Sequence, residues 1–331
     1  MGQLVAALPE GPLDIVGDVH GELEPLEDLR RRLGYREDGS HPEGRRLIFV
    51  GDLVDRGPDS PGVVRLVRGW IEAGHALAVV GNHEFNLLRR LDRQGNAWFY
   101  GREEANDGRG PVDPQVLADE AFRQEFDRFA SQLPLALVGE QLIVVHASPH
   151  EASLARAEKS ASGLLEFYDE ENARAKKIAS RWPEGAVEWG VAMQNENAVR
   201  TIVSGPEEPS ARVYASAGKM RNKQRVRWWD RELPSVPVVF GHYWRIPEPT
   251  DAPELHVFEE DDPFAFNVPG RAICIDYSVG KRWLERREGK GSGFRSQLAA
   301  LRWPEWRLVT DEGHEIDLQQ ALTPDRISAE A

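Results

Sequence analysis

The stretch DIVGDVHGELEPLEDLRRRL, Asp14 to Leu33, decides the fold. It starts as a short apolar run, stops at Gly17 and Asp18, and resumes with Leu23, Leu26, Leu29 and Leu33 at helical spacing. Strand, polar loop and helix in that order make up the repeating unit of an α/β sheet, and such sheets place ligands at their strand ends. The unit recurs twice. Leu47 to Val50 leads into GDLVDRG and then a helix marked by Val63, Val64, Leu66, Val67, Trp70 and Ile71; Ala76 to Val80 leads into GNHE and a helical pattern from Phe85 to Leu91. Two later apolar runs, LIVVHA and VVFGH, stop at His146 and His242. Asp18, His20, Asp52, Asp55, Asn82, His83, His146 and His242 therefore all follow strand ends, and all carry hard oxygen or imidazole donors. The β-α-β-α-β-α order predicts a largely parallel core.

Outward from this region the pattern loosens. Gln94 to Pro114 reads as an exposed Gly-, Asn-, Asp- and Arg-rich loop, and Val116 to Phe129 as a helix. Pro149 to Arg231 reads as an insertion over the site, helical as far as Ser180 and irregular from Trp182 onward. Strands are expected again at Val238 to Phe240, Ala272 to Ile275, Leu298 to Arg302 and Arg307 to Thr310. The expected layout is a catalytic domain over residues 1–310 with a cap at about 149–231, then a polar tail over 311–331. GKGSG, Gly289 to Gly293, is the single low-complexity piece.

Composition narrows the class. The 331 residues are 40% apolar, enough for a full core, and the formal charge is 41 − 55 = −14. Such a balance argues against stable nucleic-acid binding through a whole-surface field. Cys274 is the sole cysteine, so neither an internal disulfide nor a cysteine metal cluster is expected, in keeping with a reducing compartment. MGQLVAALPEGP lacks the charged and apolar regions of a signal peptide, and no apolar run approaches membrane-spanning length. A cytoplasmic protein without membrane partners is the expectation.

The donor set suggests two metal ions. A dinuclear site needs a bridging carboxylate with further carboxylate, amide and imidazole ligands on either side, held on rigid strand ends. Asp18 and His20 can serve one ion, Asn82, His146 and His242 the other, and Asp52 can bridge. Two cations so placed lower the pKa of a shared water, giving hydroxide, and clamp phosphoryl oxygens during in-line attack. His83 is then free to protonate a leaving oxygen, with Asp55 orienting its other ring nitrogen. Arg56 offers a planar fork for two phosphate oxygens.

GDVHG, GDLVDRG, GNHE, the later His146 and the Gly-His pair at His242 resemble the calcineurin-like metallophosphoesterases, specifically the phosphoprotein phosphatase family, from Asp14 to about Asp276. The resemblance assigns those ligand and acid roles to the same residues. It implies a four-layer αββα fold with a β-sandwich of two mixed sheets flanked by helices, which modifies the parallel reading. The metals it implies are two divalent ions, manganese first, with iron, zinc or nickel as alternatives. Val80 stands where serine/threonine phosphatases of eukaryotic type carry a basic residue, and Ala147-Ser148 stand where they carry Gly-Gly. ICIDYSVG, LAALRWPE, FGHYW and AGKMRNK instead resemble the bacterial branch, which holds diadenosine tetraphosphate hydrolases and the phosphatase module of RNA-repair kinase-phosphatases. The insertion Lys281 to Ser296 lies outside the pattern. The family uses a second phosphate-binding arginine; Arg221 is the choice within KMRNKQRVRWWDR, with Arg225, Arg227, Arg231 and Arg212 as rivals.

Each assignment has a plainer competitor. Gly-Asp and Gly-Asn are ordinary turn dipeptides, a lone histidine after a strand is more often a core residue, and Glu84 is explained as a helix-start carboxylate. The basic run Lys219 to Arg231 reads equally as a solvated face or as a device that draws polyanions. Trp182, Trp189, Trp228, Trp229 and Trp244 read as packing, with nucleobase stacking as the sharper alternative. His41, His75, His150, His256 and His314 have no motif around them. The joint arrangement favours an enzyme that hydrolyses phosphomonoesters by direct attack of hydroxide held by the two metals. Its substrate is a phosphorylated protein, small molecule or nucleotide. The alternative is a bis(5'-nucleosyl)-tetraphosphatase, and the reading from a different class is an inactive phosphate-binding scaffold.

Overall fold

The structure is a computed structural model, and it describes residues 2–104, 113–216, 219–231, 233–245 and 270–319. Along the chain these form β1 (Val5–Ala7), β2 (Leu13–Val16), α1 (Leu23–Leu33), β3 (Arg46–Phe49), α2 (Ser60–Glu72), β4 (Ala76–Ala78) and α3 (Asn82–Leu88). Next come α4 (Glu120–Ala130), β5 (Ala136–Val138), β6 (Ile143–Val145), α5 (Glu151–Lys159), α6 (Leu164–Ala179), α7 (Val187–Asn195) and α8 (Ala198–Ser204). The chain then makes β7 (Glu207–Ser216), β8 (Lys219–Arg225), β9 (Val238–Phe240), β10 (Ala272–Cys274), α9 (Arg282–Arg287), β11 (Ala299–Trp303), β12 (Arg307–Thr310) and β13 (Glu315–Asp317).

Two sheets carry the core, in strand orders β1-β5-β6-β9-β10 and β13-β12-β11-β2-β3-β4. Alternation along each strand explains the sandwich. Ile15, Ile48, Val144, Val239, Ile273 and Leu301 point into one shared apolar cluster between the sheets. Their neighbours Val16, Phe49 and Ala300 face the layer of α1 and α2, while Val145, Phe240 and Cys274 face Trp228 and Trp229 on the opposite side. Both faces of the central strands β2, β6, β9 and β10 are buried, which is why the sequence shows continuous apolar runs there instead of alternation.

The parallel reading holds for β2, β3 and β4 and for β6, β9 and β10. It fails where β11, β12 and β13 run antiparallel in one sheet and where β5 and β6 pair antiparallel in the other, so both sheets are mixed. The segment from Trp182 to Arg231, expected to be irregular, contains α7, α8 and the β7–β8 hairpin, which forms a separate two-stranded sheet. Its strands, EEPSARVYAS and KMRNKQR, hold many polar and charged residues and no run of large apolar ones, so they lack the signature that marks the buried core strands. α4 begins at Glu120, with Asp119 capping it through Phe122 N–H at 2.7 Å, four residues later than the Val116 expected. Past Thr310 the chain adds β13 as an edge strand and buries Leu318, so the polar segment is part of the sheet there. Residues 320–331 of the expected tail, His256, and Ala217 and Gly218 of AGKMRNK lie outside the described residues.

Candidate metal centre

Each half of the sandwich contributes parallel strands whose C-terminal ends meet at one edge. Asp18 and His20 follow β2, Asp52 follows β3, Asn82 opens α3 after β4, His146 follows β6 and His242 follows β9. The loops turn sharply at these positions. Among the described residues eight non-glycine residues have positive φ, and His20, Asp52, Asp55, Arg56 and His242 are five of them, at 50 to 74°. Left-handed backbone costs energy for a residue with a Cβ, and such strain collects at functional sites. Two glycines make the close approach feasible: a Cβ on Gly81 would overlap the amide and carboxylate of Asp52, and one on Gly241 would overlap the carboxylate of Asp18.

The imidazoles are aimed inward by their own hydrogen bonds. His20 Nδ1 donates to the Val54 carbonyl at 3.1 Å and His146 Nδ1 to the Val50 carbonyl at 2.9 Å, leaving both Nε2 lone pairs facing the centre. His242 Nε2 is buried without a hydrogen-bond partner among the described residues. Asp52 Oδ2 sits 3.3 Å from His146 Nε2, 3.8 Å from His20 Nε2 and 3.8 Å from His83 Nε2. Asn82 Oδ1 lies 3.2 Å from His146 Nε2, and Asp18 Oδ2 lies 3.8 Å from His20 Nε2. Two overlapping clusters have the spacing to hold an ion each, His20-Asp52-His83 and Asp52-His146-His242, with Asp52 shared. Inward lone pairs, a shared carboxylate and a buried orphaned imidazole nitrogen fit divalent cations with nitrogen and oxygen ligands.

Electrostatics point the same way. Burial, with the carboxylates of Asp276 and Asp52 beside it, pushes Asp18 well above the usual carboxyl range. Burial also presses Asp52 upward, but His146, His83 and His20 outweigh it and hold that carboxyl well below its ordinary value. Burial, then Arg56 and His83, lowers His20, while burial, then Arg225 and His146, lowers His242. His146 goes the other way: burial lowers it, but the carboxylates of Asp52 and Glu84 raise it overall. A site that crowds carboxylates and lowers the His20 and His242 imidazoles is one that cations would complete.

Beside this centre His83 Nδ1 donates to Asp55 Oδ2 at 2.6 Å, and Asp55 Oδ1 accepts from Trp98 Nε1 at 2.8 Å. The dyad is thus fixed from behind by a fully buried indole. Arg56 spreads its fork over both halves, with Nη1 donating to His20 Nε2 at 2.9 Å and Nη2 to His83 Nε2 at 3.3 Å.

Several site residues escaped the sequence reading. Asp276 follows β10 and faces Asp18; burial raises it as well, and its Oδ1 accepts from Ser278 N–H at 2.9 Å. The run ICID was a sixth apolar stretch ending at an acid, so the signal existed. Glu84, set aside as a helix-start carboxylate, accepts from the backbone N–H groups of Asp52, Leu53, Val54 and Gly81. The two basic candidates also separate. Arg221 is exposed on β8, whereas Arg225 is pointed inward, donating to the His242 carbonyl at 3.2 Å and lying 5.6 Å from the ring centres of Tyr243 and Trp244. Within the rest of the basic run, Lys223 pairs with Glu207, Arg227 with Asp230 and Arg231 with Glu208, so acids of the hairpin and its neighbouring turn absorb much of that charge. Of the five tryptophans singled out, Trp228 and Trp229 are core, Trp189 packs against the cap cluster, Trp182 is 37% exposed and Trp244 stands beside Arg56.

The family model described as calcineurin-like phosphoesterase matches residues 11–243. A curated relative from Geobacillus sp. (strain WCH70), bis(5'-nucleosyl)-tetraphosphatase PrpE, is 33% identical over 162 residues, 47% of this chain and 65% of that protein. The protein of the same name from Oceanobacillus iheyensis is 46% identical over 87 residues, 25% of this chain and 34% of that one. The chain therefore spans less than two thirds of the length of these relatives. Among solved structures, a cold-active protein-tyrosine phosphatase of a psychrophile, Shewanella sp., aligns with TM-score 0.50 at 14% identity over 96% of this chain and 82% of that one, a likeness of fold alone.

Proposed function

The chain belongs to the calcineurin-like phosphoesterase family and is a hydrolase, and from that premise we propose that it hydrolyses phosphate esters at a two-metal centre built on Asp52. The observation that carries the reading is the position of Asp52 Oδ2 among the inward nitrogens of His20, His83 and His146. Asp18 and His20 would hold one divalent cation, Asn82, His146 and His242 the other, and Asp52 would touch both. Such a pair supplies Lewis acidity, making bound water nucleophilic near neutral pH and offsetting charge on the phosphoryl oxygens.

The protein's own groups do the rest. Arg56, poised between His20 and His83, swings its fork onto two phosphoryl oxygens, and Arg225 in place of Arg221 supplies the second guanidinium. With Arg56 moved onto the phosphate, His83 Nε2 can take up a proton while Nδ1–H stays on Asp55, and it gives that proton to the leaving oxygen as Asp55 and Trp98 hold the ring in place. Water is the nucleophile in this account, and no phosphate becomes attached to the chain. Manganese as the ion and the cytoplasm as the setting belong to the same reading, the latter resting on a composition with one cysteine.

Phosphomonoesters on a protein or small molecule are the first substrate reading, and dinucleoside polyphosphates are the second. The second is favoured by the activity for which the relatives from Geobacillus and Oceanobacillus are named. Purified protein with added manganese should be offered an aryl phosphate, a phosphopeptide and diadenosine tetraphosphate at equal concentration. Turnover of at least one is expected, and dominance by the last would select the second reading. Inactivity on all three would instead favour a phosphate-binding scaffold.

A further inference from the structure

Asp18 follows β2 in one sheet and Asp276 follows β10 in the other, and a glycine lets the two strand ends touch. A Cβ on Gly17 would overlap the Ile275 carbonyl, so the residues that come next, Asp18 and Asp276, are neighbours across the seam of the sandwich. Both are buried, at 2% and 1% exposure. Burial, then Asp276, raises the Asp18 carboxyl; burial raises Asp276 too, and the Arg56 charge offsets only part of either rise.

The backbone satisfies this pair on one side and leaves it bare on the other. Asp18 Oδ2 accepts from the His242 N–H at 3.1 Å, and Asp276 Oδ1 accepts from the Ser278 N–H at 2.9 Å. Asp276 Oδ2 is buried without a hydrogen-bond partner among the described residues. Such an oxygen has given up its hydration without replacement, and a second carboxylate beside it adds repulsion. Positive charge or a proton donor is what this place lacks.

Of the two cations, the one assigned to Asp18 and His20 is the one beside Asp276. The loop that leaves Asp276 also covers the other ligand of that ion, since a Cβ on Gly280 would overlap the His20 imidazole. A divalent cation that takes Asp18, His20 and Asp52 from the protein keeps part of its water shell, because ions such as manganese favour six-fold coordination. Those waters are donors, and Asp276 Oδ2 is an acceptor with nothing to accept.

Building on the two-metal phosphoesterase reading, we propose that Asp276 is a positioning residue of the metal centre, whose open Oδ2 accepts from the water shell of the cation held by Asp18 and His20 and so tightens that ion in particular. Groups that orient the immediate ligands of a metal in this way commonly set its affinity as strongly as a ligand does.

Equilibrium dialysis of the full chain against manganese, with the bound ions counted, tests this without reference to activity. The wild type should bind two ions. Asp276→Ala should weaken one of them by about 10–100-fold and leave the other within about three-fold. Asp276→Asn, of the same shape but uncharged, should weaken the same ion by a smaller factor, and it carries the test if the alanine chain does not fold. In a His242→Ala background, which retains the Asp18–His20 ion, Asp276→Ala should still cost about 10–100-fold, whereas in Asp18→Ala it should cost less than about three-fold. Unchanged affinity for both ions overturns the proposal and leaves the two acids sharing a proton; equal weakening of both ions overturns it as well, as a disturbance of the whole centre. Two bound ions without hydrolysis of an aryl phosphate would overturn the phosphoesterase reading alone, and a wild type that binds no manganese overturns both.

Discussion

Glu84 accepts the backbone N–H of Asp52 at 2.9 Å, and the same carboxylate also receives Leu53 N–H at 2.7 Å, Val54 N–H at 3.3 Å and Gly81 N–H at 2.9 Å. One fully buried side chain thus fastens GDLVDRG to GNHE and sets where the shared carboxylate can sit. Glu84→Ala leaves four donors without their acceptor, and it should cost roughly 3–5 kcal/mol of stability, as removing one partner from a buried charged network does. Urea unfolding reads this directly. A loss below about 1 kcal/mol would show that the loops hold their form without it.

His83 and Asp55 form the proton-donating pair, so His83→Asn should leave bound metal nearly unchanged. Turnover should fall by about 10²–10⁴, most for substrates with poor leaving groups. Metal analysis alongside kcat separates the roles. Release of an ion from this variant would make His83 a ligand, as its membership of the cluster with His20 and Asp52 would then mean.

Arg225 and Arg221 are close in sequence but face different surroundings, the first over Tyr243 and Trp244 and the second exposed. Arg225→Met should raise KM by about 10–100-fold, in line with loss of a hydrogen bond to a charged group. Arg221→Met should change KM less than three-fold. The reverse order would return the phosphate contact to Arg221.

Asp311 gives a stability effect with a defined sign. Burial outweighs its Arg282 partner and the Leu298 N–H, raising the carboxyl from 3.8 to about 6. Between those values the folded chain holds a proton that the unfolded chain has released, so this contribution is complete below pH 3.8 and is lost as pH rises through about 6. The size is about 3 kcal/mol, two pKa units and a fraction. Asp311→Asn should flatten the curve of unfolding midpoint against pH across this window. An identical slope in both proteins would contradict the assignment.

What the sequence displayed and what it hid follow from the range of the forces involved. Buried strands that end at donors are local: Val16 to His20, Val50 to Asp55 and Val80 to His83 are each contiguous, and the structure brings them to one edge of the sandwich. Arg225 was legible only as a rival to Arg221, because its inward direction comes from the register of the β7–β8 hairpin and from the Tyr243 and Trp244 rings, which leave no local trace in the sequence. Trp98 was hidden because its bond to Asp55 spans 43 positions and nothing near residue 98 resembles a motif. The grip of Arg286 on Glu22 spans 264 positions and ties the insertion to the His20 loop only in three dimensions. Asp276 differs from these, since its strand-end signature was visible in ICID.

The shared position of Asp52 is tested most directly by anomalous diffraction from crystals of the manganese-loaded chain. Two peaks about 3.5–4 Å apart are expected, both in contact with the Asp52 carboxylate, one also touching Asp18 and His20 and the other Asn82, His146 and His242. A single peak, or two peaks that do not share Asp52, would contradict the account.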